Sequence, residues 1–277
     1  MDEQKILKFP DRIVIELTGK CNLSCPMCPR HFAAASENFM ESELWKRLID
    51  EIAQNDPQAV VLPFWRGESL LHPEFCAFME YALKRGMRIH MCSNAFEMTA
   101  AQQEMLQRME FVTFSIHTRR SYENARKFAA LPRPKSQIRQ ASFVDCEKTT
   151  ETCLRELFSD PGLGGFDSVR LYVEHTKNGI FGGGARESGS RIFCPKLSGT
   201  LAIASNGEIS RCNHQWETDS SLNVNHLSIA EIWNSEPLRE IRRSYPDAAC
   251  AACEQWTGHT QGKRWNKTDR GVVCTEF

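Results

Sequence analysis

The sequence predicts an α/β protein: six parallel βα units, whose sheet is either open or a partial (βα)6 barrel, followed by a small α+β domain that contains a hairpin and a helix. Over about residues 12 to 175, short β-type runs alternate with helical patterns, which is typical of parallel βα units. Six such runs are too few to close an eight-stranded barrel. The 277 residues are 41% hydrophobic and 25% charged, a composition suited to one large or two smaller globular domains.

The six predicted strands occupy residues 12–17, 59–63, 88–92, 111–115, 138–144 and 168–173. Amphipathic helical patterns fall between them, at residues 41–54, 74–85, 99–109 and 149–158. In the first of these, Leu44, Leu48 and Ile52 lie near helical spacing. In parallel α/β proteins, ligands bind on the loops that follow the carboxyl ends of the strands, so residues directly after each predicted strand are the first candidates for a site.

A glycine-rich segment at residues 178–184 predicts a linker between a domain at residues 1–184 and a domain at residues 185–277. In the second domain, Asn206 and Gly207 form a typical hairpin turn between strand candidates at 200–204 and 208–211. Ser228 and Glu231 form a capping box that begins a short helix, which should end before Pro237.

Charge and hydropathy exclude several function classes. The 34 basic and 35 acidic residues leave a net charge of −1, so we expect no nucleic-acid or anionic-membrane partner. No apolar run reaches the roughly 18 residues of a membrane span, and no secretory signal follows Met1, so the expected location is cytoplasmic. Twelve cysteines in a reducing compartment indicate metal binding or catalysis.

Three of these cysteines, Cys21, Cys25 and Cys28, lie in the loop after the first strand with Cys-x3-Cys-x2-Cys spacing. Three thiolates can hold three irons of a cubane and leave the fourth iron without a protein ligand. The alternative is a zinc site completed by a residue such as His31.

A second set of cysteines surrounds the hairpin and ends in a Cys-x2-Cys pair: Cys194, Cys212, Cys250 and Cys253. Four thiolates form a closed site for zinc or for a fully ligated [4Fe–4S] cluster, and the spacing does not decide between them. Of the others, Cys76 and Cys153 are expected to be buried in the core. Cys92, Cys146 and Cys274 are candidates for a reactive thiol.

The first cysteine loop resembles that of the radical S-adenosylmethionine (SAM) superfamily, with Met27 at the position of the usual aromatic residue. The resemblance implies a partial barrel of the radical SAM type, a [4Fe–4S] cluster on the three cysteines, and SAM bound to the open iron. Residues 65–74 are similar to the superfamily's Gly-Gly-Glu-Pro segment, with Arg66 and Ser69 as departures. The implied cofactor-binding residues are Met27, Gly67, Glu68, Ser93, Asn94 and Ser115, with Glu68 accepting from the SAM ammonium group.

The second cysteine set resembles the twitch domain, a shortened relative of the SPASM domain. Four cysteines, with Cys274 as a fifth, suit one auxiliary [4Fe–4S] cluster rather than two. In motif order the chain is similar to superfamily members that dehydrogenate aminocyclitols.

Residues facing the barrel interior follow from strand alternation. On the sixth strand, Val169 and Leu171 should meet the helices, while Arg170, Tyr172 and Glu174 should point inward. On the fourth strand, Ser115 shares a parity with His117, which follows the strand. Three residues are therefore candidates for substrate binding or proton removal: His117, Tyr172 and Glu174. The alternative is a buried network among them and Arg170.

The resemblance implies a radical SAM oxidoreductase that cleaves SAM to a 5′-deoxyadenosyl radical, abstracts a substrate hydrogen and passes an electron to the auxiliary cluster. A small sugar-like or cyclitol-like substrate is expected, with flavodoxin or ferredoxin as the one-electron donor. Alternatives are a peptide-modifying maturase, which commonly has a domain before the first strand, an epimerase with a cysteine as hydrogen-atom donor, and a non-catalytic metal-binding module. The basic and aromatic residues at 256–270 are expected to form a solvated tail or to close the cavity.

Overall fold

The computed structural model describes residues 6–31, 37–145, 148–173, 193–251, 253, 262–269 and 271–276. All six predicted strands are present, each within three residues of its expected bounds. They are β1 (Arg12–Ile15), β2 (Val60–Leu62), β3 (Arg88–Ser93), β4 (Phe111–Ser115), β5 (Ile138–Val144) and β6 (Ser168–Tyr172). They pair in sequence order, and every pairing among them is parallel. The α/β partial-barrel prediction is confirmed.

Helices fill the connections between these strands, as the periodicity predicts. They are α1 (Ser42–Asn55), α2 (Phe75–Lys84), α3 (Ala100–Leu106), α4 (Arg119–Ala129) and α5 (Lys148–Ser159). Their apolar faces cover the outer face of the sheet; Trp45, Phe78 and Phe128 are buried there. Burial of this kind contributes about 25 cal/mol per Å² of apolar surface and is the main force holding helices to sheet.

Strand alternation separates the core from the barrel interior. On β4, Val112 and Phe114 are fully buried under the helices, while Thr113 and Ser115 face the other side and keep partial exposure. On β6, Val169 is fully buried and Leu171 packs against the core, whereas Arg170 and Tyr172 lie on the opposite face. This agrees with the predicted inward side of β6, although Glu174 lies outside the described residues.

The predicted hairpin is present as β7 (Thr200–Ile203) and β8 (Glu208–Ser210), followed by a further strand, β9 (Asp219–Asn223). Gly207 has φ +86°, which the Asn-Gly turn requires. Four short helices accompany these strands in the described part: α6 (Pro195–Gly199), α7 (Ile229–Trp233), α8 (Glu236–Arg243) and α9 (Ala248–Ala251). The capping box of Ser228 and Glu231 begins α7, and Pro237 lies in the first turn of α8.

One continuous sheet joins the two parts of the chain. β7 pairs parallel with β1, so the hairpin and β9 extend the barrel sheet at one edge. At the other edge, β10 (Gly262–Thr268) pairs antiparallel with β6, and β11 (Gly271–Glu276) pairs with β10. The expectation of a solvated tail is therefore wrong for these residues, because Trp265 packs on Phe158 with ring centroids 5.0 Å apart.

Some predictions fall on residues that the structure does not describe: the glycine-rich linker with its domain boundary at 184, Glu174, Cys146, Trp256 and Arg270. Within the described ranges, no helix is both long enough and apolar enough to cross a membrane.

Candidate functional site

A cavity of about 270 Å³ lies at the carboxyl ends of the parallel strands. It is lined by residues that follow β1, β2, β3 and β4, together with residues from the second half of the chain. All six residues expected to bind the cofactor line it: Met27, Gly67, Glu68, Ser93, Asn94 and Ser115. Cys21, Cys25, Cys28 and His117 line the same cavity. The structure therefore brings these expected site residues together around one cavity.

The cysteine loop is folded as a tight turn with reduced, half-buried thiols. The Cys28 backbone N–H donates to the Cys25 carbonyl at 2.9 Å. Burial raises the pKa of Cys21 and of Cys28, and the neighbouring thiols add to this increase, which places the three sulfur atoms in one electrostatic environment. The Asn94 amide nitrogen lies 3.6 Å from Cys21 Sγ and supplies one donor to that sulfur.

This donor set fits an iron–sulfur cubane. Three thiolates from one loop can each bind one iron of a cubane and leave the fourth iron without a protein ligand. His31, the candidate fourth ligand of a zinc site, has its Nε2 3.0 Å from the carbonyl oxygen of Cys25.

Glu68 is a buried carboxylate in the cavity wall. Its Oε1 accepts from the Leu70 N–H at 3.1 Å and from the Ser93 hydroxyl at 3.0 Å, and its Oε2 accepts from the Asn94 N–H at 2.7 Å. Burial raises the pKa of Glu68 in spite of these three donors. An ammonium group bound beside this carboxylate would stabilise its ionised form, so the site suits a cationic ligand group.

Gly67 is required by the close approach of two backbone segments. A Cβ atom at this position would lie 2.3 Å from the Thr18 carbonyl oxygen and 2.4 Å from that of Lys20. These are backbone atoms at the start of the cysteine loop, and the Glu68 N–H donates to the same Lys20 carbonyl at 2.7 Å. The absence of a side chain therefore lets the segment after β2 dock against the cysteine loop.

Replacing Gly67 by Ala is expected to prevent this docking and to disrupt the cysteine loop, since neither backbone segment can move without breaking other hydrogen bonds. Iron bound after anaerobic reconstitution should fall, and the thermal midpoint should drop by about 2–4 °C per kcal/mol lost. Gly162→Ala is a suitable control, because a Cβ there meets only the flexible Asp160 carboxylate at 3.2 Å. Equal iron content in both variants would contradict this role for Gly67.

His117 and Ser115 form a polar pair in the cavity wall. The Ser115 hydroxyl and His117 Nε2 are 2.9 Å apart, which fixes the orientation of the ring. The negative charge of Glu68 and the positive form of His117 interact favourably across the cavity. The other two candidate catalytic residues are Tyr172 and Glu174. Tyr172 is not among the lining residues of this cavity, and Glu174 lies outside the described residues.

Tyr172 lies at the carboxyl end of β6, on its inner face. The guanidinium carbon of Arg170 is 5.0 Å from the centre of its ring, and Tyr172 is directly opposite Val144 of β5, which does line the cavity. Burial raises the pKa of Tyr172 and raises that of the neighbouring Cys92 to about 12. Both groups are thus neutral at physiological pH.

The second cysteine set also comes together, near α6 and the loop after β8. The Cys212 thiol raises the pKa of Cys194 and of Cys250, although burial is the larger cause in each case, and the pKa of Cys250 reaches about 12. Burial lowers the pKa of Lys196, which lies in the field of Cys194, Cys212 and Cys253. The Arg211 side chain forms an ion pair with Asp247 beside Cys250. Four thiols with two cations nearby fit a thiolate-bound, anionic cluster.

Sequence reasoning missed several residues of the cavity wall. The most notable is Trp216, which comes from the second half of the chain and lines the cavity with Trp65 and Arg66. A single tryptophan in a loop belongs to no sequence pattern that predicts a position in a cavity wall. Arg66 did stand out, as a departure from the superfamily segment, but its partner Glu16 did not.

Comparison with known proteins gives two family matches that lie in different parts of the chain. A family model described as the radical SAM superfamily matches residues 15–127, and one described as an iron–sulfur cluster-binding domain, SPASM, matches residues 194–254. A tungsten-containing aldehyde ferredoxin oxidoreductase cofactor-modifying protein from Pyrococcus furiosus is 29% identical over 98 residues, which are 35% of this chain. The chain spans only 26% of that relative's length.

Two solved structures share the fold over most of the chain. The structure of BtrN in complex with AdoMet and 2-DOIA has a TM-score of 0.60 and 16% identity, covering 92% of this chain and 94% of BtrN. Streptococcus suis SuiB bound to precursor peptide SuiA has a TM-score of 0.67 and 15% identity, covering 90% of this chain and 70% of SuiB.

Proposed function

We propose that this chain is an oxidoreductase and that it dehydrogenates a small polar substrate. The premise is that the chain carries a radical SAM domain and an iron–sulfur cluster-binding SPASM domain. The first domain implies SAM and a [4Fe–4S] cluster, and the second implies auxiliary iron–sulfur binding. The observation that carries the proposal is the presence of the cysteine loop, Glu68 and His117 in one cavity.

The residues described above fit these cofactors. Cys21, Cys25 and Cys28 would hold the first cluster, and Cys194, Cys212, Cys250 and Cys253 would hold one auxiliary cluster. When bound, SAM with its cluster supplies an organic radical that removes a hydrogen atom, and the auxiliary cluster supplies an acceptor for one electron. The Glu68 carboxylate would bind the SAM ammonium group, while Ser93, Asn94 and Ser115 supply polar contacts for its ribose.

The protein's own part in the reaction is to orient the substrate and to take up its hydroxyl proton. His117 Nε2 lies 2.9 Å from the Ser115 hydroxyl. A substrate hydroxyl group that replaced Ser115 as the partner of this nitrogen, or joined it, would lie within hydrogen-bond distance of Nε2. After a hydrogen atom has been removed from the carbinol carbon, taking up its hydroxyl proton favours transfer of the unpaired electron to the acceptor and leaves a carbonyl group. Leu23, Phe64 and Val144 supply apolar parts of the wall of this cavity.

Two observations bear on the substrate. A fold shared with BtrN over 94% of that chain supports a small molecule such as the one in the BtrN complex. The higher TM-score of peptide-bound SuiB favours peptide modification as a second candidate. The match covers only 70% of SuiB, so part of that protein has no counterpart in the matched region.

The proposal is tested with reconstituted protein, SAM, dithionite and a panel of cyclitols, sugars and short peptides, by measuring 5′-deoxyadenosine and oxidised product together. We expect equal amounts of both with a cyclitol or sugar. His117→Gln should lower product about 100-fold or more, as for loss of a general base, while 5′-deoxyadenosine continues to form. The matched control is His226→Gln, which changes an exposed histidine outside the cavity. Product from peptides alone, or an unchanged product ratio in His117→Gln, would contradict the proposal.

A further inference from the structure

The Arg66 side chain connects the radical SAM part of the sheet to a loop of the cluster-binding part. Its Nε donates to Glu16 Oε2 at 2.6 Å and its Nη2 donates to Glu16 Oε1 at 2.8 Å, so the pair is bidentate. Its Nη1 donates to the backbone carbonyl of Trp216 at 3.0 Å. The side chains of Arg66 and Glu16 are only 3% and 0% exposed. One buried guanidinium therefore holds the end of β1 and the loop after β8 together.

Further hydrogen bonds surround this ion pair. The Trp65 indole N–H donates to the Asn213 carbonyl at 2.8 Å, and the Arg66 guanidinium carbon is 4.2 Å from the centre of the Trp65 ring. Glu16 Oε1 also accepts from the backbone N–H and the hydroxyl of Ser205, at 3.3 and 3.2 Å, in the hairpin turn. A buried ion pair depends on such additional hydrogen bonds; here all three Arg66 nitrogens donate and both Glu16 oxygens accept.

The loop from Cys212 to Trp216 is internally rigid. The Ser210 hydroxyl donates to the carbonyls of Cys212 and Gln215, at 3.2 and 2.6 Å, and the Gln215 N–H returns to the Cys212 carbonyl at 3.1 Å. One end of this loop carries an expected ligand of the auxiliary cluster, and the other end lines the cavity. Trp65 and Arg66 thus hold a short, stiff segment whose two ends belong to the two sites.

Arg66 stands where the superfamily segment that residues 65–74 resemble has glycine. A glycine could neither neutralise the buried Glu16 carboxylate nor donate to the Trp216 carbonyl. Replacing only one partner of the Arg66–Glu16 pair would leave the other as an uncompensated buried charge. A cavity wall formed by a residue other than Trp216 would not require this ion pair.

We propose that Trp216 is a ligand-contacting wall of the SAM cavity contributed by the cluster-binding part of the chain, and that Arg66 and Glu16 are the residues that position it. Trp216 contacts whatever fills the cavity and excludes water from it. This role of Trp216 concerns how the cavity is built and is the same for a cyclitol and for a peptide substrate. It therefore does not depend on the dehydrogenase proposal.

The first test measures equilibrium binding of SAM to the reconstituted, unreduced protein. Trp216→Ala is expected to raise the dissociation constant about tenfold, equivalent to about 1.4 kcal/mol of lost contact, and Trp216→Phe to restore most of the affinity. Trp265→Phe is the matched control, because Trp265 packs on Phe158 on the outer side of the sheet. Unchanged affinity in Trp216→Ala would overturn the role of Trp216 as a wall.

The second test concerns positioning and uses hydrogen–deuterium exchange of residues 211–218. Arg66→Gly combined with Glu16→Gln removes both charges, so no unpaired ion remains buried and the chain can fold. In this double variant, exchange of the 211–218 amides should become about tenfold faster than in the unmodified protein, while exchange in α1 stays the same. An unchanged exchange rate in this loop would show that the pair does not position it and would overturn that part of the proposal.

Discussion

Replacing Cys21, Cys25 and Cys28 together by Ala is expected to abolish the formation of 5′-deoxyadenosine from SAM. The three thiols lie in one loop and line one cavity, and each interacts electrostatically with its neighbours. Iron should fall from about eight to about four atoms per chain, because the second cysteine set is unaffected. Iron analysis and chromatography of the nucleoside products measure both effects.

The matched control for this variant is Cys274→Ala, which removes an exposed thiol from β11. It should keep its full iron content and its rate of SAM cleavage. If the triple variant kept all its iron, the metal would be bound elsewhere and the assignment of the cysteine loop would be wrong.

Glu68→Gln is expected to weaken SAM binding about 10- to 150-fold, the value of one charge-assisted hydrogen bond. The amide keeps the shape of the carboxylate but cannot neutralise an ammonium group. Burial raises the pKa of Glu68, so its carboxyl group takes up a proton at a higher pH than an ordinary glutamate. The affinity of the unmodified protein for SAM should therefore fall as the pH is lowered through this raised pKa.

In the Gln variant this pH dependence should disappear, since the group no longer titrates. Glu43→Gln on α1 provides the control, because the Glu43 side chain is 87% exposed and lies outside the cavity. A titration of SAM affinity against pH in all three proteins tests the assignment. The same acid-dependent loss in Glu68→Gln would mean that another group binds the ammonium.

The barrel was predictable because its signals are local. Each strand is a short apolar run next to an amphipathic helix, and alternation on β4 placed Ser115 and His117 on the same side, where both line the cavity. The six cofactor residues came from the superfamily resemblance. They lie at the carboxyl ends of β3 and β4 or in the loops after β1, β2 and β3, and parallel strands bring these ends to one edge of the sheet.

The features that were missed depend on long-range pairing. β10 contains Lys263, Arg264 and Lys267, which have low strand propensity, and its position is set by registry with β6, about 95 residues earlier in the chain. Hydrogen-bonded pairing and the packing of Trp265 outweigh that propensity. Similarly, Glu16 and Arg66 are 50 residues apart, and no sequence period links a charged residue at the end of β1 to another after β2.

Gly67 lines the cavity as expected, but the contacts give a different physical reason for a glycine at this position. The superfamily resemblance suggested that its missing side chain allows close approach at the cofactor. The contacts show that it first allows the Thr18–Lys20 backbone to dock, which places the cysteine loop beside Glu68. Distances of this kind come only from the folded chain.

The most direct test of the central claim is the electron paramagnetic resonance spectrum of the dithionite-reduced, reconstituted protein with and without SAM. If Cys21, Cys25 and Cys28 hold a cluster with one open iron, adding SAM will change part of the spectrum, and that part will be missing from the triple Ala variant. A spectrum that does not respond to SAM, or a SAM-sensitive signal that persists in the variant, would contradict the account.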